Sequence, residues 1–540
     1  MAYIIGRMLL EIDESIIKII IFQDELMQLA ALTGIDYALM IAYLVFTIGL
    51  GIYLGKNIKT GKDYFLAGRS LPWWAVGMSM VVSDIGAIDI VGIAGSAYIY
   101  GIVVGNYDWI GCIPVMIICG FVFIPYFWRS EVYTIPEFLG KRFNVGVRTI
   151  AALIWGFFLA CNLGIMLYAT AVMMKTMLGW GLGVSIIVSA VLIGLYTLIG
   201  GLKAVVYTDA LQCVVMMLGC TMVLFIGLYH AGGVGPFVNT VHDLGIDYKD
   251  HFNLILPVDT DSPHPWTGIL LGLGMVLAPA YWFGNQSILQ RCLGAKSEFE
   301  AKSAFMWGAL LKITIPMIMV VPGIIVLTHN PNIKEADFAL PTLIRDTLPT
   351  GMLGIFFAAF LAALMSSVDS CLNSASTLWV KDIYQRFFVP NKDDRHYLII
   401  GRILTVLFTV WGILFAFWIS GLKDQDSIYN IIQTILSLFQ GPSLVLILTG
   451  VLWSRTTGIA ALVGLISGLI TSSGLLIIHN YATVPLFQIQ DPFLFIALWS
   501  FLVSLVLTIV VSLLTPREPD EKLVGLVYRY KGRNENASVN

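Results

Sequence analysis

Two stretches of sequence decide the fold, and the first is "VVSDIGAIDIVGIAGSAYIYG" (residues 81–101). This run is apolar enough for a lipid bilayer, yet it contains four glycines, the first at Gly86, and two aspartates. The second stretch is "GLGMVLAPAYWFGNQS" (residues 272–287), which contains Pro279 and Gly284. Proline removes a backbone donor and glycine weakens the helical hydrogen-bond ladder, so we expect both helices to be interrupted.

The composition is that of a membrane protein. Of 540 residues, 58% are hydrophobic and only 12% are charged, against about 25% charged in soluble domains. The net charge of -3 gives no reason to propose a nucleic-acid partner. The seven cysteines lie in apolar runs or in a predicted cytoplasmic loop and form no CxxC pair, so we expect neither a disulfide framework nor a zinc site.

Apolar runs of about 20 residues, the length that crosses a bilayer, predict thirteen membrane-spanning helices. They lie near residues 35–55, 72–98, 103–128, 148–174, 181–199, 205–228, 266–287, 303–327, 352–380, 397–418, 427–453, 457–478 and 491–515. Of the 31 Lys and Arg residues, 23 fall in alternate loops and the C-terminal tail, among them Arg291. The positive-inside rule therefore predicts a multi-pass protein of the cell (inner) membrane with its N-terminus outside and its C-terminus in the cytoplasm.

The two interrupted helices are five crossings apart, so they enter the membrane from opposite sides. This arrangement predicts an all-α fold with a five-plus-five inverted repeat, in which the first helix of each repeat breaks at mid-membrane and exposes carbonyls to an ion. We assign the repeats to about residues 72–228 and 266–453 of a transporter domain at 35–515. Residues 1–34 are expected to form an extracytoplasmic amphipathic segment, and residues 516–540 a cytoplasmic tail.

Charged residues inside the predicted crossings mark candidate functional sites, because a charge within the membrane is costly. They are Asp84, Asp89, Asp108, Asp209, Lys312 and Asp369. Two of them have an alternative interpretation as interfacial residues, Asp209 at the inner side of the membrane and Asp108 at the outer side.

The ninth crossing contains "AALMSSVDSCLNSAS" (residues 362–376), in which Ser366, Asp369 and Ser370 share one helix face. Ser367 lies about 100° round the helix from Ser366. Hydroxyls and carbonyls suit a hard, singly charged ion, and a nearby carboxylate offsets its charge. Serines that merely allow close helix packing are the alternative, but packing does not explain Asp369.

Four longer motifs closely resemble the sodium:solute symporter family and, within it, the sodium/glucose cotransporter branch. The motifs are "KDYFLAGRSLPWWAVG" (62–77), "YTIPEFLGKRF" (133–143), "GGLKAVVYTDALQ" (200–212) and "NQSILQRCLGAKS" (285–297). The resemblance spans about residues 35–515. It implies a LeuT-type fold and the inward transport of a solute on the sodium gradient.

The resemblance also implies a sodium site between the first broken helix and the ninth crossing. Its ligands correspond to the carbonyls of Val82, Ile85 and Ala363 and to the hydroxyls of Ser366 and Ser367. Family members with a second cation site place it at positions that match Ser366, Asp369, Ser370 and Asp209. The aspartate at 369 departs from the hydroxyl usual there, which implies either a stronger or a protonated site.

The solute pocket of the cotransporter branch maps to Asp89, Asp108, Gly111, Ala278, Tyr281, Lys312 and Gln433, and the outer gate maps to Ile93, Tyr107 and Tyr429. Four pocket positions keep the family chemistry, namely Asp108, Tyr281, Lys312 and Gln433. Asp89 replaces a neutral polar residue, Gly111 a serine and Ala278 an asparagine, so the identity of the solute stays open.

The sequence therefore predicts a sodium-coupled symporter that imports a small polar solute, with a sugar or polyol as the first choice because vicinal hydroxyls pair well with carboxylates. The alternatives are sodium- or proton-coupled transport of a carboxylate paired with Lys312, of an amino acid, or of a cationic amine attracted by Asp89 and Asp108. An enzyme is not expected, since the sequence has no HExxH motif and its outer-loop histidines are scattered. A channel would conduct without sodium-dependent accumulation. The expected partners are the solute, sodium and the lipid bilayer, with no obligate protein partner.

Overall fold

The chain forms a bundle of helices in the computed structural model, which describes residues 33–56, 60–86, 89–421, 428–481, 487 and 492–528. The predicted amphipathic segment, residues 1–34, lies outside this part of the chain except for its last two residues. The predicted tail is described as far as residue 528.

Ten of the described helices are long and apolar enough to cross a membrane, and two bent pairs supply two further spans. In chain order the helices are α1 Gly34–Gly55, α2a Trp73–Asp84, α2b Asp89–Gly105, α3 Tyr107–Arg129, α4 Val145–Lys175, α5 Leu182–Val191, α6 Gly201–His230, α7a Gly268–Gly284, α7b Gln286–Leu293, α8 Glu298–Thr328, α9 Met352–Phe388, α10 Asp394–Ser420, α11 Ile432–Leu452, α12 Gly458–Asn480 and α13 Phe493–Leu514. The shorter helix α5 leads into α6 at Gly201, where a φ of 54° interrupts the helix. These helices lie at the thirteen predicted positions, and the predicted all-α fold is confirmed.

Both helices that the sequence predicts to be interrupted are broken. Helix α2a ends at Asp84 and α2b begins at Asp89, and the two halves are inclined by 57°. The halves α7a and α7b are inclined by 49° about Asn285, whose backbone is extended (φ -69°, ψ 116°). This second break falls one residue after Gly284. It does not fall at Pro279, because a π-helical stretch precedes the proline and places it in the first turn of an α-helical segment, where the missing N–H costs little.

The helix that carries the predicted ion ligands, α9, runs through the centre of the bundle. Its most apolar window is 94% buried, whereas that of α1 is 17% buried. Helix α2a also packs closely against α8: an added Cβ at Gly77 of α2a would lie 2.7 Å from the carbonyl oxygen of Ala304 on α8. Only glycine allows that contact, which holds α2a against α8.

A side chain from α1 caps the N-terminus of α9. Oδ1 of the buried Asp36 accepts hydrogen bonds from the backbone N–H groups of Gly351 and Gly354, both at 2.8 Å. The first N–H groups of a helix have no partner within the helix, and no side chain of α9 itself supplies a cap at Gly351. Asp36 therefore fixes the end of the helix on which Ser366 and Ser367 lie.

Candidate functional site

The break in α2 releases two backbone carbonyls, those of Val82 and Ile85. In a continuous helix, the carbonyl of Val82 would accept from the N–H of Gly86. The carbonyl of Ile85 would accept in the same way from the N–H of Asp89. Instead, the N–H of Gly86 donates to Oδ2 of Asp89 at 2.9 Å, and the N–H of Asp89 donates to the carbonyl of Gly86 at 3.1 Å. Because both donors are engaged at the break itself, neither helical hydrogen bond forms, and the two carbonyls lack their helical donors.

The hydroxyl face of α9 lies against this break. Oγ of Ser367 donates to the carbonyl of Ser83 at 3.2 Å, and Oγ of Ser366 lies 3.0 Å from Oγ of Ser83. Ala363, one turn earlier on the same face, is fully buried. The structure thus places the predicted sodium ligands on two segments that touch each other, with Val82 and Ile85 on one and Ala363, Ser366 and Ser367 on the other.

A buried cavity lies beside the break. It holds about 980 Å³ of space free of atoms, including the part open to solvent. Its wall contains the predicted residues Asp89, Ile93, Tyr107, Asp108, Ala278, Tyr281, Lys312 and Gln433, together with Ser83, Ile85 and Ser367 from the ion segments. Gly111 packs behind Ala278, since a Cβ on Gly111 would lie 3.3 Å from the Cβ of Ala278. The side chain of Tyr429, the third predicted gate residue, lies outside the described residues.

Lys312 is held between two carboxylates. Its Nζ lies 2.5 Å from Oδ2 of Asp84 and 2.5 Å from Oδ1 of Asp108, and none of the three side chains is more than 13% exposed. The sequence marks Asp84 as a costly charge without giving it a partner, and the structure makes it the second partner of Lys312. Ligand atoms of Asp84, Asp108 and Cys112 lie within 4.8 Å of one another, a spacing that would suit a metal ion. Lys312 places an ammonium group between the two carboxylates instead.

Three residues of the cavity wall have side-chain polar atoms without a hydrogen-bond partner in the described part of the chain. These atoms are Oδ1 of Asn162 on α4, Oε1 of Gln440 on α11 and Nε1 of Trp282 on α7a. Buried polar atoms are usually paired, so unpaired ones in a cavity wall suit a bound molecule. None of the three was predicted. For the two amides, the sequence feature that could have indicated them is a single Asn or Gln within an apolar run, as in "ACNLG" (160–164) and "LFQGP" (438–442).

The predicted second cation site contains an arginine side chain. Nη2 of Arg291, on α7b, lies 3.2 Å from Oδ2 of Asp209. The same nitrogen donates to the hydroxyls of Ser83 and Ser370. Arg291 is 1% exposed, although the charge pattern of the sequence places it in a cytoplasmic loop. Oδ1 of Asp369 accepts from Ser370 at 3.2 Å, while Oδ2 of Asp369 and Oδ1 of Asp209 have no partner among the residues described.

His264, in the loop before α7a, packs on the predicted outer gate. Its ring centroid lies 5.7 Å from that of Tyr107 and 5.1 Å from that of Tyr100. The residue is fully buried, and this burial lowers the pKa of His264 to about 3. The imidazole is therefore neutral at physiological pH, and it adds no charge to the gate.

The chain is similar to known membrane transporters. The model of the sodium:solute symporter family matches residues 64–468. The chain is 34% identical over 465 residues to the sodium/glucose cotransporter of Vibrio parahaemolyticus, which covers 81% of this chain and 84% of that protein. It is 30% identical over 549 residues to the human (Homo sapiens) sodium/myo-inositol cotransporter, covering 92% of this chain and 75% of that protein. The substrate-bound, outward-open structure of a Na+-coupled sialic acid symporter is 23% identical, with a TM-score of 0.78 over 90% of this chain and 99% of that one, which shows a shared fold.

Proposed function

Because this chain belongs to the sodium:solute symporter family, we propose that it carries a polyhydroxylated solute, a sugar or polyol, into the cell on the sodium gradient. The protein is a sodium-coupled solute symporter and not an enzyme. Relatives named as sodium/glucose and sodium/myo-inositol cotransporters support a hydroxylated solute. The observation that carries the proposal is the buried cavity beside the break in α2, with its unpaired polar atoms.

The cavity wall suits hydroxyl groups because a hydroxyl both donates and accepts hydrogen bonds. The carboxylate of Asp89 and Oδ1 of Asn162 accept, whereas Nε1 of Trp282 donates. The side-chain amides of Gln433 and Gln440 do both. A hydrogen bond to a charged group stabilises a complex by about 1.5–3 kcal/mol, so a diol that bridges Asp89 and a neighbouring amide would bind selectively.

A carboxylate solute fits this wall poorly. Among the described wall residues the cation is Lys312, and its ammonium group already lies 2.5 Å from Asp84 and from Asp108. A carboxylate on the solute would meet the negative charge of both residues and of Asp89. The same argument disfavours an amino acid, whose carboxylate also needs a cation.

We place the coupling sodium at the contact between α2 and α9, with Val82, Ile85, Ala363, Ser366 and Ser367 as ligands. Carbonyl and hydroxyl oxygens are hard donors, as an alkali ion requires. Ser83, Ile85 and Ser367 belong to this contact and also to the cavity wall, which puts the ion beside the solute. At the second predicted set, Asp209, Asp369 and Ser370 with Ser366, we propose that Arg291 supplies the positive charge in place of a second sodium.

The protein is a multi-pass membrane protein. We propose the cell (inner) membrane as its location, with the N-terminus outside and the C-terminus in the cytoplasm, because 23 of the 31 Lys and Arg residues follow that orientation. The transport unit in this proposal is the single domain at residues 35–515 with its repeats at 72–228 and 266–453, and it needs no obligate protein partner.

Uptake into proteoliposomes tests the proposal. A sugar or polyol should accumulate when sodium is higher outside, and a sodium ionophore or Ser367→Ala should abolish the accumulation. Gln433→Ala should weaken solute binding while it leaves stabilisation by sodium largely intact, because Gln433 is assigned to the solute. Unchanged uptake when choline replaces sodium would contradict the ion site, and failure of every polyhydroxylated compound to bind would contradict the solute class.

A further inference from the structure

The wall of the solute cavity carries more negative than positive charge. Asp84, Asp89 and Asp108 line it together with one described cation, Lys312. Asp84 and Asp108 share that ammonium group at 2.5 Å each, so Lys312 balances only one of them. Two carboxylates are left without a cation of the described chain, and a buried carboxylate in that position is stabilised by a proton or by a positively charged ligand.

A sodium ion at the proposed contact between α2 and α9 would supply one of the two missing charges. The released carbonyls of Val82 and Ile85 flank Asp84, and Ile85 and Ser367 lie both at the ion contact and in the cavity wall. The proposed sodium contact and the three carboxylates therefore border one cavity. With sodium bound there, one carboxylate would still lack a counter-charge.

Asp89 is the carboxylate that this count leaves without a counter-charge. Its Oδ2 accepts a hydrogen bond from the N–H of Gly86 at 2.9 Å, and it forms no ion pair with a cation of the described chain. The aromatic rings of Tyr281 and Trp282 belong to the same wall, and ring faces also attract cations. A neutral sugar would form hydrogen bonds with Asp89 but would leave its charge uncompensated.

We propose that the transported solute is a hydroxylated amine, an amino sugar or amino polyol, whose ammonium group pairs with Asp89. Its hydroxyl groups bind the amides of Asn162, Gln433 and Gln440, whose side chains line the same cavity. The inference rests on the proposed function and narrows its solute class. With the three aspartates ionised, sodium, the ammonium group and Lys312 would together balance their charge.

Binding measurements with matched pairs of compounds test this inference. The full-length protein in lipid nanodiscs with sodium is titrated with D-glucosamine against D-glucose and with an amino-deoxy-inositol against myo-inositol, at a pH that keeps the amines protonated. At least one amine should bind about tenfold or more tightly than its neutral counterpart, because its hydrogen bond to Asp89 is charged on both sides. D-Glucuronate, which carries a negative charge, should bind weaker than D-glucose.

Two variants locate the effect. Asp89→Asn keeps an acceptor oxygen for the N–H of Gly86, so the fold and the stabilisation by sodium should persist while the preference for the amine disappears. Gln433→Ala is the matched control, and it should weaken the amine and its neutral counterpart by the same factor.

The outcomes separate the two proposals. Equal affinity of every amine and its neutral counterpart, or a preference for the amine that survives Asp89→Asn, overturns the inference and leaves the proposed function standing. Absence of sodium-dependent binding by all these compounds, neutral and cationic, overturns the proposed function itself.

Discussion

Arg291→Met removes the positive charge beside Asp209 and Asp369. Nη2 of Arg291 lies 3.2 Å from Oδ2 of Asp209, which corresponds to about 5 kcal/mol of attraction at an effective dielectric constant near 20. Breaking a buried ion pair by removing one partner typically costs about 3–5 kcal/mol, because the other charge stays buried and unpaired. We therefore expect the variant to lose about 3–5 kcal/mol of stability in the absence of sodium.

Sodium should restore part of this loss. The vacated space is bordered by the carboxylates of Asp209 and Asp369 and by the hydroxyls of Ser83 and Ser370, all of which offer oxygen ligands. Thermal unfolding across a series of sodium and choline mixtures measures the response. The natural protein should respond to sodium with a Hill coefficient near one, and Arg291→Met should respond more steeply and gain more stability.

Arg142 provides a matched control for this experiment. It is also a fully buried arginine, but its described hydrogen bonds go only to backbone carbonyls, those of Gly450, Trp453 and Thr456, at 2.9 to 3.1 Å. Arg142→Met should therefore lower stability equally in sodium and in choline. The reasoning is refuted if Arg291→Met is as stable as the natural protein in choline, or if sodium stabilises it no more than it stabilises Arg142→Met.

Two further predictions concern parts of the protein away from the ion sites. Asp36→Ala should lower the free energy of unfolding by about 1–2 kcal/mol, because the N–H groups of Gly351 and Gly354 lose their acceptor, and it should also weaken stabilisation by sodium. Asp36→Asn, which keeps an acceptor, is its control, and equal losses in both variants would contradict a capping role. His264 should make the protein sensitive to acid, because the unfolded chain binds a proton below about pH 6.5 whereas the pKa of His264 in the folded protein is lowered to about 3. Stability should fall as the pH drops through this window, by at most about 1.4 kcal/mol per pH unit from this residue, and His264→Gln should flatten the profile. An unchanged profile would show that other groups dominate.

The sequence predicts those features of the fold that a single helix determines by itself. Gly86 weakens its own helix, and that helix breaks beside it. Pro279 is the exception. A π-helical stretch precedes it and places the proline in the first turn of an α-helical segment, and the helix breaks at Asn285 instead. A local pattern shows that a helix is under strain, but the neighbouring turns decide where the strain is released.

The sequence predicts charge partners less well, because they come from distant parts of the chain. Arg291 looks like an ordinary loop cation until α7b brings it to Asp209 of α6, 82 residues away. Asp84 meets Lys312 only because α8 packs along α2a. Without the fold, a costly charge can be recognised as functional, but its partner and therefore its role cannot be assigned.

The break in α2 also explains how sodium and solute can assist each other. The hydrogen bond from the N–H of Gly86 to Asp89 is the one that keeps the carbonyl of Val82 free of its helical donor. A solute that binds Asp89 therefore holds the same turn that presents Val82 and Ile85 to sodium, and sodium in turn holds the turn that presents Asp89 to the solute. Each ligand lowers the cost of ordering this segment for the other, and thermodynamic linkage requires that both affinities change by the same factor.

Asp89→Asn keeps the hydrogen bond and should keep part of this coupling. Asp89→Ala removes the bond and should uncouple the two ligands even where each still binds, a difference that titrations of either ligand in the presence of the other would measure.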